Sequence, residues 1–237
     1  MEIKLFMTAD DSHGKIDNTY TAVAIDVLRA TSVITTAISN GAAKIKAFME
    51  IGEAFEYRKN NPGENILLCG ERNRILIDGF DLSNSPLEYT PAVVSGKTLA
   101  ITTTNGTKAI EYAKNAAALY IASFLNLSAV AETVEKSSRK LALVCAGTEG
   151  RFSLDDFVCA GKLISLISEK TACSLDDGAY LAREYYSSKK ENIKELIQES
   201  ASYKGVIKAG FEKDLEYCLK ESVLNCVPVY KNGFIVK

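Results

Sequence analysis

An internal repeat is the feature of this sequence that most restricts its fold. Residues 22–48 align with residues 98–124 without a gap, at an offset of 98 − 22 = 76 positions. The same offset continues downstream, where it pairs Cys69 with Cys145. Self-similarity at a fixed spacing is the signature of a duplicated structural unit, although Ala and Ile are common enough for short segments to agree by chance. Because the register holds without a gap, we interpret it as duplication of one β-α-β-α-β unit.

Each copy of the repeat predicts three strands that alternate with two helices. The strands are "TAVAI", "KIKAF" and "NILLCG" in the first copy and "KTLAI", "ALYIASF" and "KLALVCAG" in the second. Near-continuous apolar strands between helices are typical of a mainly parallel sheet that is covered on both faces. We therefore predict an α/β fold of the three-layer α/β/α type, in which the internally duplicated units form one mainly parallel, helix-covered sheet.

The rest of the sequence completes this division of the chain. We predict a first α/β half in residues 1–97 and a second, pseudo-symmetric half in residues 98–172. Residues 173–237 contain helical segments with apolar faces and end in "VPVYKNGFIVK", where "KNG" is a hairpin turn signal. We expect this helical tail and terminal hairpin to pack on the duplicated core.

Charge and composition exclude several classes of function. The 28 basic and 30 acidic residues leave a net charge of −2. The chain therefore lacks the excess of positive charge that is typical of proteins that bind nucleic acid or an anionic membrane. No apolar run is long enough to span a bilayer, and the first residues lack the pattern of a signal peptide. The six cysteines are dispersed and His13 is the only histidine, which disfavours a disulfide framework and a structural zinc site. We expect a cytoplasmic protein, and a homo-oligomer is compatible with the sequence.

Ligands of open α/β sheets bind beyond the carboxyl ends of the strands, so the loops that follow the strands form the candidate site. The loop "TTTNGT" follows one strand and precedes a helix. Its hydroxyl groups, its backbone N–H groups and the positive end of the helix dipole suit a phosphate, sulfonate or carboxylate. The alternative is that Thr104, Asn105 or Thr107 only caps the helix. The predicted substrate-binding residues of this loop are Thr103, Thr104, Asn105, Gly106 and Thr107.

The equivalent loop of the first copy, "IDVLRAT", contains an acid and a base in place of the hydroxyls. Asp26 directly follows a strand, where a carboxylate is a suitable Mg²⁺ ligand because this ion prefers oxygen ligands. Arg29 precedes the helix, where its guanidinium can hold an anionic group through two hydrogen bonds. Helix capping by Asp26 is the alternative explanation.

Two further loops add acidic and polar residues near strand ends. In "CGERN", Glu71 and Arg72 adjoin a strand end, and "DGFDLSNSP" contains Asp81 in a turn-rich stretch. In "CAGTEGRFSLDD", Ser153 and Asp156 have a spacing close to that of a helix capping box. This capping would leave the neighbouring Asp155 as a free carboxylate in the first turn of the helix.

Cys145 and Arg151 suggest a different chemistry, because they have the C-x₅-R spacing of phosphatases whose thiolate attacks phosphorus. Val144, however, stands where those enzymes usually have a histidine, so no base lowers the pKa of the thiol. Cys145 also ends a strand that we predict to be buried, and Cys69 occupies the equivalent position in the first copy. A cysteine-dependent phosphatase using Cys145 and Arg151 is therefore one alternative, and a non-catalytic protein that binds small anions is another.

Five blocks, in this order, resemble the 2-phosphosulfolactate phosphatase (ComB-like) family: "IDVLRATSVITTAISNGA", "CGER", "GFDLSNSP", "TTTNGT" and "CAGTEGRFSLDDFVCAG". The resemblance extends from about residue 20 to about residue 165, and agreement is weaker in the closing "VPVY" and at Gly210, Phe211, Asp214 and Leu215. It implies a Mg²⁺-dependent hydrolase that removes phosphate from 2-phospho-3-sulfolactate, a step toward coenzyme M. One departure is "RNRILI", which lacks the glycine expected after the Glu-Arg pair and leaves the shape of that loop open.

The loops and the resemblance together predict a phosphoric monoester hydrolase that acts on a small anionic phosphate ester. We expect Mg²⁺ as cofactor, bound between Asp26 and nearby acids. The predicted catalytic residues are Asp26, Arg29, Arg72 and Asp155, and the predicted metal ligands are Asp26, Glu71 and Asp81. The predicted substrate-binding residues outside "TTTNGT" are Asn84, Ser85 and Gly147.

Overall fold

The computed structural model describes residues 1–9, 16–137 and 139–237, so His13 lies outside the described residues. Within these ranges the chain forms one sheet of eleven strands in the order β5-β4-β6-β3-β11-β10-β7-β2-β8-β1-β9. The strands are β1 (Glu2–Phe6), β2 (Thr21–Ile25), β3 (Lys44–Ala47), β4 (Ile66–Arg72), β5 (Ile75–Leu76), β6 (Thr98–Thr102), β7 (Ala118–Ala122), β8 (Lys140–Cys145), β9 (Ser174–Leu175), β10 (Val229–Lys231) and β11 (Phe234–Val236).

Helices cover this sheet. None of those in the described ranges is both long and apolar enough to cross a bilayer. They are α1 (Ala30–Ser39), α2 (Ile51–Asn60), α3 (Pro91–Val94), α4 (Gly106–Ala113), α5 (Leu127–Ser137), α6 (Leu154–Ser168), α7 (Asp177–Lys189), α8 (Ile193–Gln198), α9 (Ala201–Lys208) and α10 (Glu212–Cys218). Short 3₁₀ turns occur at Pro86–Glu88, Phe124–Asn126 and Lys190–Asn192.

The layers agree with the prediction. β3 and β4 both pair in parallel with β6, and β7 and β8 both pair in parallel with β2. Along β2, Val23 and Ile25 belong to a hydrophobic cluster with α5 and α6, whereas Ala22 and Ala24 belong to another with α1 and α4. Successive side chains of a strand point to opposite faces, so β2 is buried on both sides. The predicted three-layer α/β/α fold is confirmed.

The offset of 76 residues also relates the elements of the structure. It carries Ala30, the first residue of α1, onto Gly106, the first residue of α4, and it carries Ile51 of α2 onto Leu127 of α5. The sheet order contains β4-β6-β3 on one side of the C-terminal hairpin and β7-β2-β8 on the other. Each copy therefore places its first strand between the second and third strands of the other copy, and both copies share one continuous sheet.

The two equivalent helix starts touch each other. A Cβ atom on Gly106 would lie 2.8 Å from Oδ2 of Asp26 and closer still to the Cβ atom of Ala30. Two alanines could not occupy these equivalent positions, so the second copy requires glycine. Contact between equivalent residues places the local twofold axis of the duplication between them. This contact brings the loops that follow β2 and β6 together.

The predicted C-terminal hairpin is present and lies in the middle of the sheet. β10 and β11 are antiparallel, and Asn232 and Gly233 between them have φ angles of 53° and 82°, as a two-residue type I′ turn requires. β10 pairs with β7, and β11 pairs with β3. The last strands of the chain therefore join the two copies. β1, which lies outside the repeat and was not predicted, pairs in parallel with β8.

Candidate active site

A cleft collects the loops that follow β2, β4, β6 and β8. Its volume is about 580 Å³, including space open to solvent, and residues of α9 line part of it. The predicted site residues that line the cleft are Asp26, Arg29, Glu71, Asn84, Thr103, Thr104, Asn105, Gly147 and Asp155. The predicted site residues outside its lining are Arg72, Asp81, Ser85, Gly106 and Thr107. The four loops therefore meet at the cleft, but five of the predicted site residues do not line it.

Three buried aspartates line this cleft. Burial raises the pKa of Asp26 to about 7, and the negative charge of Asp155 adds to the increase. Burial also raises the pKa of Asp155, although a hydrogen bond from Ser153 opposes the change. Burial, followed by the charges of Asp155 and Asp26, raises the pKa of Asp156 well above its ordinary value. Because these carboxylates repel one another in a site of low dielectric constant, a cation in the cleft would be stabilised.

Asp156 connects two of the loops. Its Oδ1 atom accepts a hydrogen bond from the N–H of Val27 (2.9 Å), and its Oδ2 atom accepts one from the N–H of Gly147 (3.1 Å). The capping box predicted for Ser153 and Asp156 is absent, and Ser153 instead donates to Oδ1 of Asp155 (2.6 Å). Asp156 turns away from its own helix because the loops after β2 and β8 offer it backbone donors.

Glu71 connects the other two loops. Its Oε1 atom accepts hydrogen bonds from the N–H and the hydroxyl group of Thr104, both at 2.9 Å. Its Oε2 atom accepts a hydrogen bond from the N–H of Arg74 (2.6 Å). Both carboxylate oxygens of this buried side chain are therefore occupied by the loops that they hold in place.

Arg29 is held by an ion pair and by an aromatic ring. Its Nη1 atom donates to Oδ2 of Asp214 (2.6 Å), and both side chains of this ion pair are 2% exposed. Its guanidinium also lies over the ring of Phe211, 4.2 Å from the centroid. Ser85 donates to the other oxygen of Asp214 (2.6 Å), so it acts on Arg29 through Asp214 and not on a ligand directly. The Leu28–Arg29 peptide bond is cis.

Two buried polar atoms of the cleft residues have no partner among the described residues: Nη2 of Arg29 and Oδ1 of Asn84. A buried polar group without a partner costs free energy, so such atoms usually have a ligand or a water molecule as partner. The guanidinium nitrogen supplies hydrogen-bond donors, and the amide oxygen supplies an acceptor. Together they suit a bound anionic oxygen and a hydrogen-bond donor, which a ligand or a water molecule can provide.

The loop "TTTNGT" combines capping with ligand-facing residues. Thr103 accepts a hydrogen bond from the N–H of Thr107 (3.2 Å), and the hydroxyl of Thr107 donates to the carbonyl of Thr103 (2.9 Å). The hydroxyl that accepts from an N–H of α4 is therefore that of Thr103, and the side chain of the N-cap residue Asn105 forms no capping hydrogen bond. Thr107 lies outside the cleft lining. Oδ1 of Asn105 accepts from the N–H of Glu149 (3.0 Å), which closes the loop against its neighbour. Gly106 approaches Asp26 and Ala30 closely, not a ligand.

Arg72, predicted as a catalytic residue, and Asp81, predicted as a metal ligand, lie outside the cleft lining. Arg72 donates from Nη1 to the carbonyl of Glu71 and from Nη2 to the carbonyl of Met49 and the hydroxyl of Thr102. Its terminal nitrogens are thus bound by protein oxygen atoms. Oδ2 of Asp81 accepts from Arg58 and from the N–H of Leu68, both at 2.8 Å, at an exposed position outside the cleft lining. Glu71 and Arg72 are adjacent in the sequence, but only Glu71 lines the cleft.

Comparison with known proteins identifies the family. The sequence model of the family described as 2-phosphosulpholactate phosphatase matches residues 6–233. A protein of Clostridium acetobutylicum named "Probable 2-phosphosulfolactate phosphatase" is 43% identical over 237 residues, which cover 100% of both chains. Proteins of the same name from Thermotoga petrophila and Thermotoga maritima are 48% and 47% identical over 218 residues, 92% of each chain. This chain belongs to the 2-phosphosulpholactate phosphatase family.

Membership in the 2-phosphosulpholactate phosphatase family makes this chain a phosphoric monoester hydrolase. Its cleft is lined by buried carboxyl groups and by the buried guanidinium of Arg29. Among the residues that the structure describes, no three His, Cys, Asp or Glu side chains are placed to hold one metal ion together.

The thiol alternative does not fit the structure of this chain. Cys145 is fully buried in β8 and does not line the cleft. Burial raises the pKa of its thiol well above the ordinary value, and the nearby charge of Asp156 adds to the increase. Arg151 is exposed and also lies outside the lining. A thiol that remains protonated in the protein interior is not a nucleophile.

Several residues of this phosphatase cleft were not predicted. Ser202 and Val206 of α9 and Arg74 of the β4–β5 turn line the cleft, and Asp214 holds Arg29. For Asp214 the resemblance was the only available signal, because it lies 185 residues from Arg29. Nothing in the local sequence around Ser202 distinguishes it from an ordinary helical residue.

Proposed function

We propose that this chain hydrolyses 2-phospho-3-sulfolactate, or a similar small phospho-hydroxy acid, to the free hydroxy acid and phosphate. Family membership and the names of the relatives support this reaction. The observation that carries the proposal is the buried Nη2 atom of Arg29, which has no partner among the described residues and belongs to the same cleft as Asp26 and Asp155. A bound phosphate ester would compensate the positive charge of Arg29, and a cation bound with it would compensate the negative charges of Asp26 and Asp155.

The reaction itself requires little covalent participation by the protein. A water oxygen bonds to phosphorus, the ester P–O bond breaks, and the hydroxy acid leaves with a proton on its 2-oxygen. Catalysis then depends on positioning the ester and stabilising the charge on the phosphoryl oxygens. In this proposal the residues of the cleft perform these two tasks.

We also propose Mg²⁺ as the cofactor, with Asp26 and Asp155 as its protein ligands. Mg²⁺ usually binds one or two carboxylates and completes its coordination with water and substrate phosphate, so it does not need three clustered acids. The mutual repulsion of these two carboxyl groups favours a cation between them. Glu71 is a weaker candidate because Thr104 and Arg74 occupy its oxygens. When bound, the ion would neutralise charge on the phosphoryl group.

The protein residues would bind and orient the ester. Nη2 of Arg29 would donate to a phosphoryl oxygen, and its ion pair with Asp214 keeps the guanidinium fixed before the substrate binds. Thr103 and the N-terminal end of α4 would add hydroxyl and backbone N–H donors. Asp156 and Glu71 would hold the four loops in their relative positions through the hydrogen bonds described above.

Phosphate release tests this proposal. The purified protein is incubated with 2-phospho-3-sulfolactate and a panel of phospho-hydroxy acids, with Mg²⁺, with excess chelator, and after thiol alkylation. We expect turnover that is lost with chelator, recovers with added Mg²⁺ and survives alkylation. Turnover that survives chelation but not alkylation would instead support the thiol mechanism. Saturable ester binding without phosphate release would show a non-catalytic anion-binding protein, although such a protein would gain nothing from carboxylates beside its ligand.

The same panel addresses the metabolic role. The step toward coenzyme M that the resemblance implies requires a clear preference for the sulfonated ester. We propose this role on the basis of the family and of the relatives' names. Equal rates for a phospho-hydroxy acid without a sulfonate would argue for a different natural substrate.

A further inference from the structure

Arg74 occupies a backbone position that does not suit it. It follows Asn73 in the two-residue turn between β4 and β5, and the φ angles of the two residues are 54° and 66°. Turns with two positive φ angles favour Asn followed by Gly, because an L side chain is strained in the left-handed region. Position 74 is therefore a glycine position that contains an arginine. Strain of this kind often persists where the side chain has a function.

A second glycine makes room for the Arg74 side chain. The guanidinium lies against Gly205 of α9, where an added Cβ atom would be 2.5 Å from Cζ and 2.6 Å from Nε of Arg74. Glycine within a helix is unfavourable compared with alanine. The chain thus has an arginine in a turn that favours glycine, and a glycine in a helix that favours alanine. Both choices serve the placement of one guanidinium.

The guanidinium of Arg74 is available to a ligand. Arg74 lines the cleft and is half-buried as a residue, and no other described residue forms a hydrogen bond or an ion pair with its side chain. Arg29 and Arg72 differ in this respect, because Asp214 pairs with the first and protein oxygens bind both terminal nitrogens of the second. A planar guanidinium offers paired donors that match the oxygens of a carboxylate or a sulfonate.

We propose that Arg74 is a specificity-determining residue that binds a second anionic group of the substrate, a carboxylate or a sulfonate, while Arg29 binds the phosphate. This inference rests on the proposed function, because it assumes an ester that carries an anion besides its phosphate. The phosphate belongs near Arg29, Asp26 and Asp155, where the buried charges are. The Arg74 guanidinium lies against Gly205 of α9, whereas Arg29 pairs with Asp214 of α10. Arg74 adds the positive charge that a trianionic or tetra-anionic ester requires. α9 then forms part of the specificity pocket.

Kinetics of Arg74→Gly provide the main test, because glycine suits this turn and the variant should fold at least as well as the wild type. The three substrates are 2-phospho-3-sulfolactate, 2-phospholactate, which has no sulfonate, and ethyl phosphate, which has neither anion. We expect KM for the first to rise about tenfold to hundredfold with little change in kcat, and no change for ethyl phosphate. A rise that includes 2-phospholactate assigns Arg74 to the carboxylate, and a rise limited to the first ester assigns it to the sulfonate.

Gly205→Ala tests the placement of the guanidinium without removing it. The new methyl group must displace Arg74, so KM should rise for the same esters while thermal stability stays the same or increases. In an Arg74→Gly background, Gly205→Ala should have no further effect on KM. Arg183→Gln is the matched loss of positive charge, since Arg183 lies on α7 and pairs with Glu184. It should leave all three KM values unchanged.

Calorimetry with 3-sulfolactate and with lactate, neither of which carries phosphate, gives a readout that does not depend on turnover. We expect the wild type to bind at least one of them more tightly than Arg74→Gly does. Equal binding, or equal KM changes for all three esters, would overturn the role of Arg74. If the wild type hydrolyses no ester, the proposed function fails, and the calorimetric comparison still decides whether Arg74 is an anion-binding residue.

Discussion

Asp26 has the largest part in the proposed chemistry, because it is a buried carboxyl group in the cleft with a pKa of about 7. Asp26→Asn should lower kcat for phosphate release by about 100-fold or more, since a neutral amide is a poor ligand for Mg²⁺. The free energy of unfolding should not decrease, because the amide oxygen can still accept the hydrogen bond from Ala30. Steady-state kinetics and urea denaturation measure the two effects.

Asp81→Asn is the control for that experiment. This side chain pairs with Arg58 at an exposed position, so its charge should matter little for catalysis. The variant should retain activity close to that of the wild type. Near-normal turnover by Asp26→Asn, or a comparable loss in both variants, would contradict the assignment of Asp26.

Cys145 permits a second prediction for a single residue. The folded protein should resist modification by iodoacetamide at this thiol at pH 8, because burial raises its pKa and excludes the reagent. Cys173, which is only partly buried, provides an internal positive control. Mass spectrometry after limited reaction, combined with the activity assay, measures both properties. Modification of Cys145 in step with loss of activity would restore the thiol mechanism.

The pair of helices α1 and α4 carries a prediction about the duplication. Gly106→Ala should lower the free energy of unfolding by about 1–3 kcal/mol, although alanine favours helices, because its methyl group would collide with Ala30 and approach Asp26. The exchange Ala30→Gly with Gly106→Ala should recover part of this loss, since it moves the single methyl group across the local twofold axis. Urea denaturation of both variants provides the measurement. No recovery in the exchange would show that the approach to Asp26, and not the contact between equivalent residues, requires the glycine.

The whole molecule should show a pH dependence that follows from its buried acids. The pKa of Asp26 is raised from 3.8 to about 7, so the folded protein retains a proton that the unfolded chain releases. This contribution to stability is fully present below about pH 4 and is lost as the pH rises through 7. A difference of about 3 pKa units corresponds to a limit on the order of 4 kcal/mol. Asp155 and Asp156 act in the same direction.

Denaturation with urea in the presence of chelator, at pH 5.5 and pH 8, tests this dependence. The wild type should become less stable relative to Asp26→Asn as the pH rises, and added Mg²⁺ should reduce the difference at pH 8. Comparison with the variant removes the contribution of the other titrating groups. An equal pH dependence in the two proteins would show that Asp26 is already ionised in the folded state.

Much of the architecture could be read from the sequence, because it depends on patterns that repeat along the chain. The offset of 76 residues and the apolar strands predicted the three-layer fold, and "KNG" predicted the terminal hairpin. The loops at the carboxyl ends of the strands were correctly expected to meet. This expectation follows from the direction of parallel strands alone and needs no knowledge of side-chain packing.

The direction of each side chain was decided by the tertiary structure. Glu71 and Arg72 are neighbours in the sequence, yet Glu71 lines the cleft while Arg72 binds Met49 and Thr102 outside it. Asp214 reaches Arg29 from a helix that no repeat or turn signal connects to the site. The contact between Asp214 and Arg29 joins residues that are far apart in the chain. Its energy depends on interatomic distances and on burial, and neither can be read from the order of amino acids. Periodicity therefore determined the sheet and its loops, whereas packing alone selected which residues of those loops form the site.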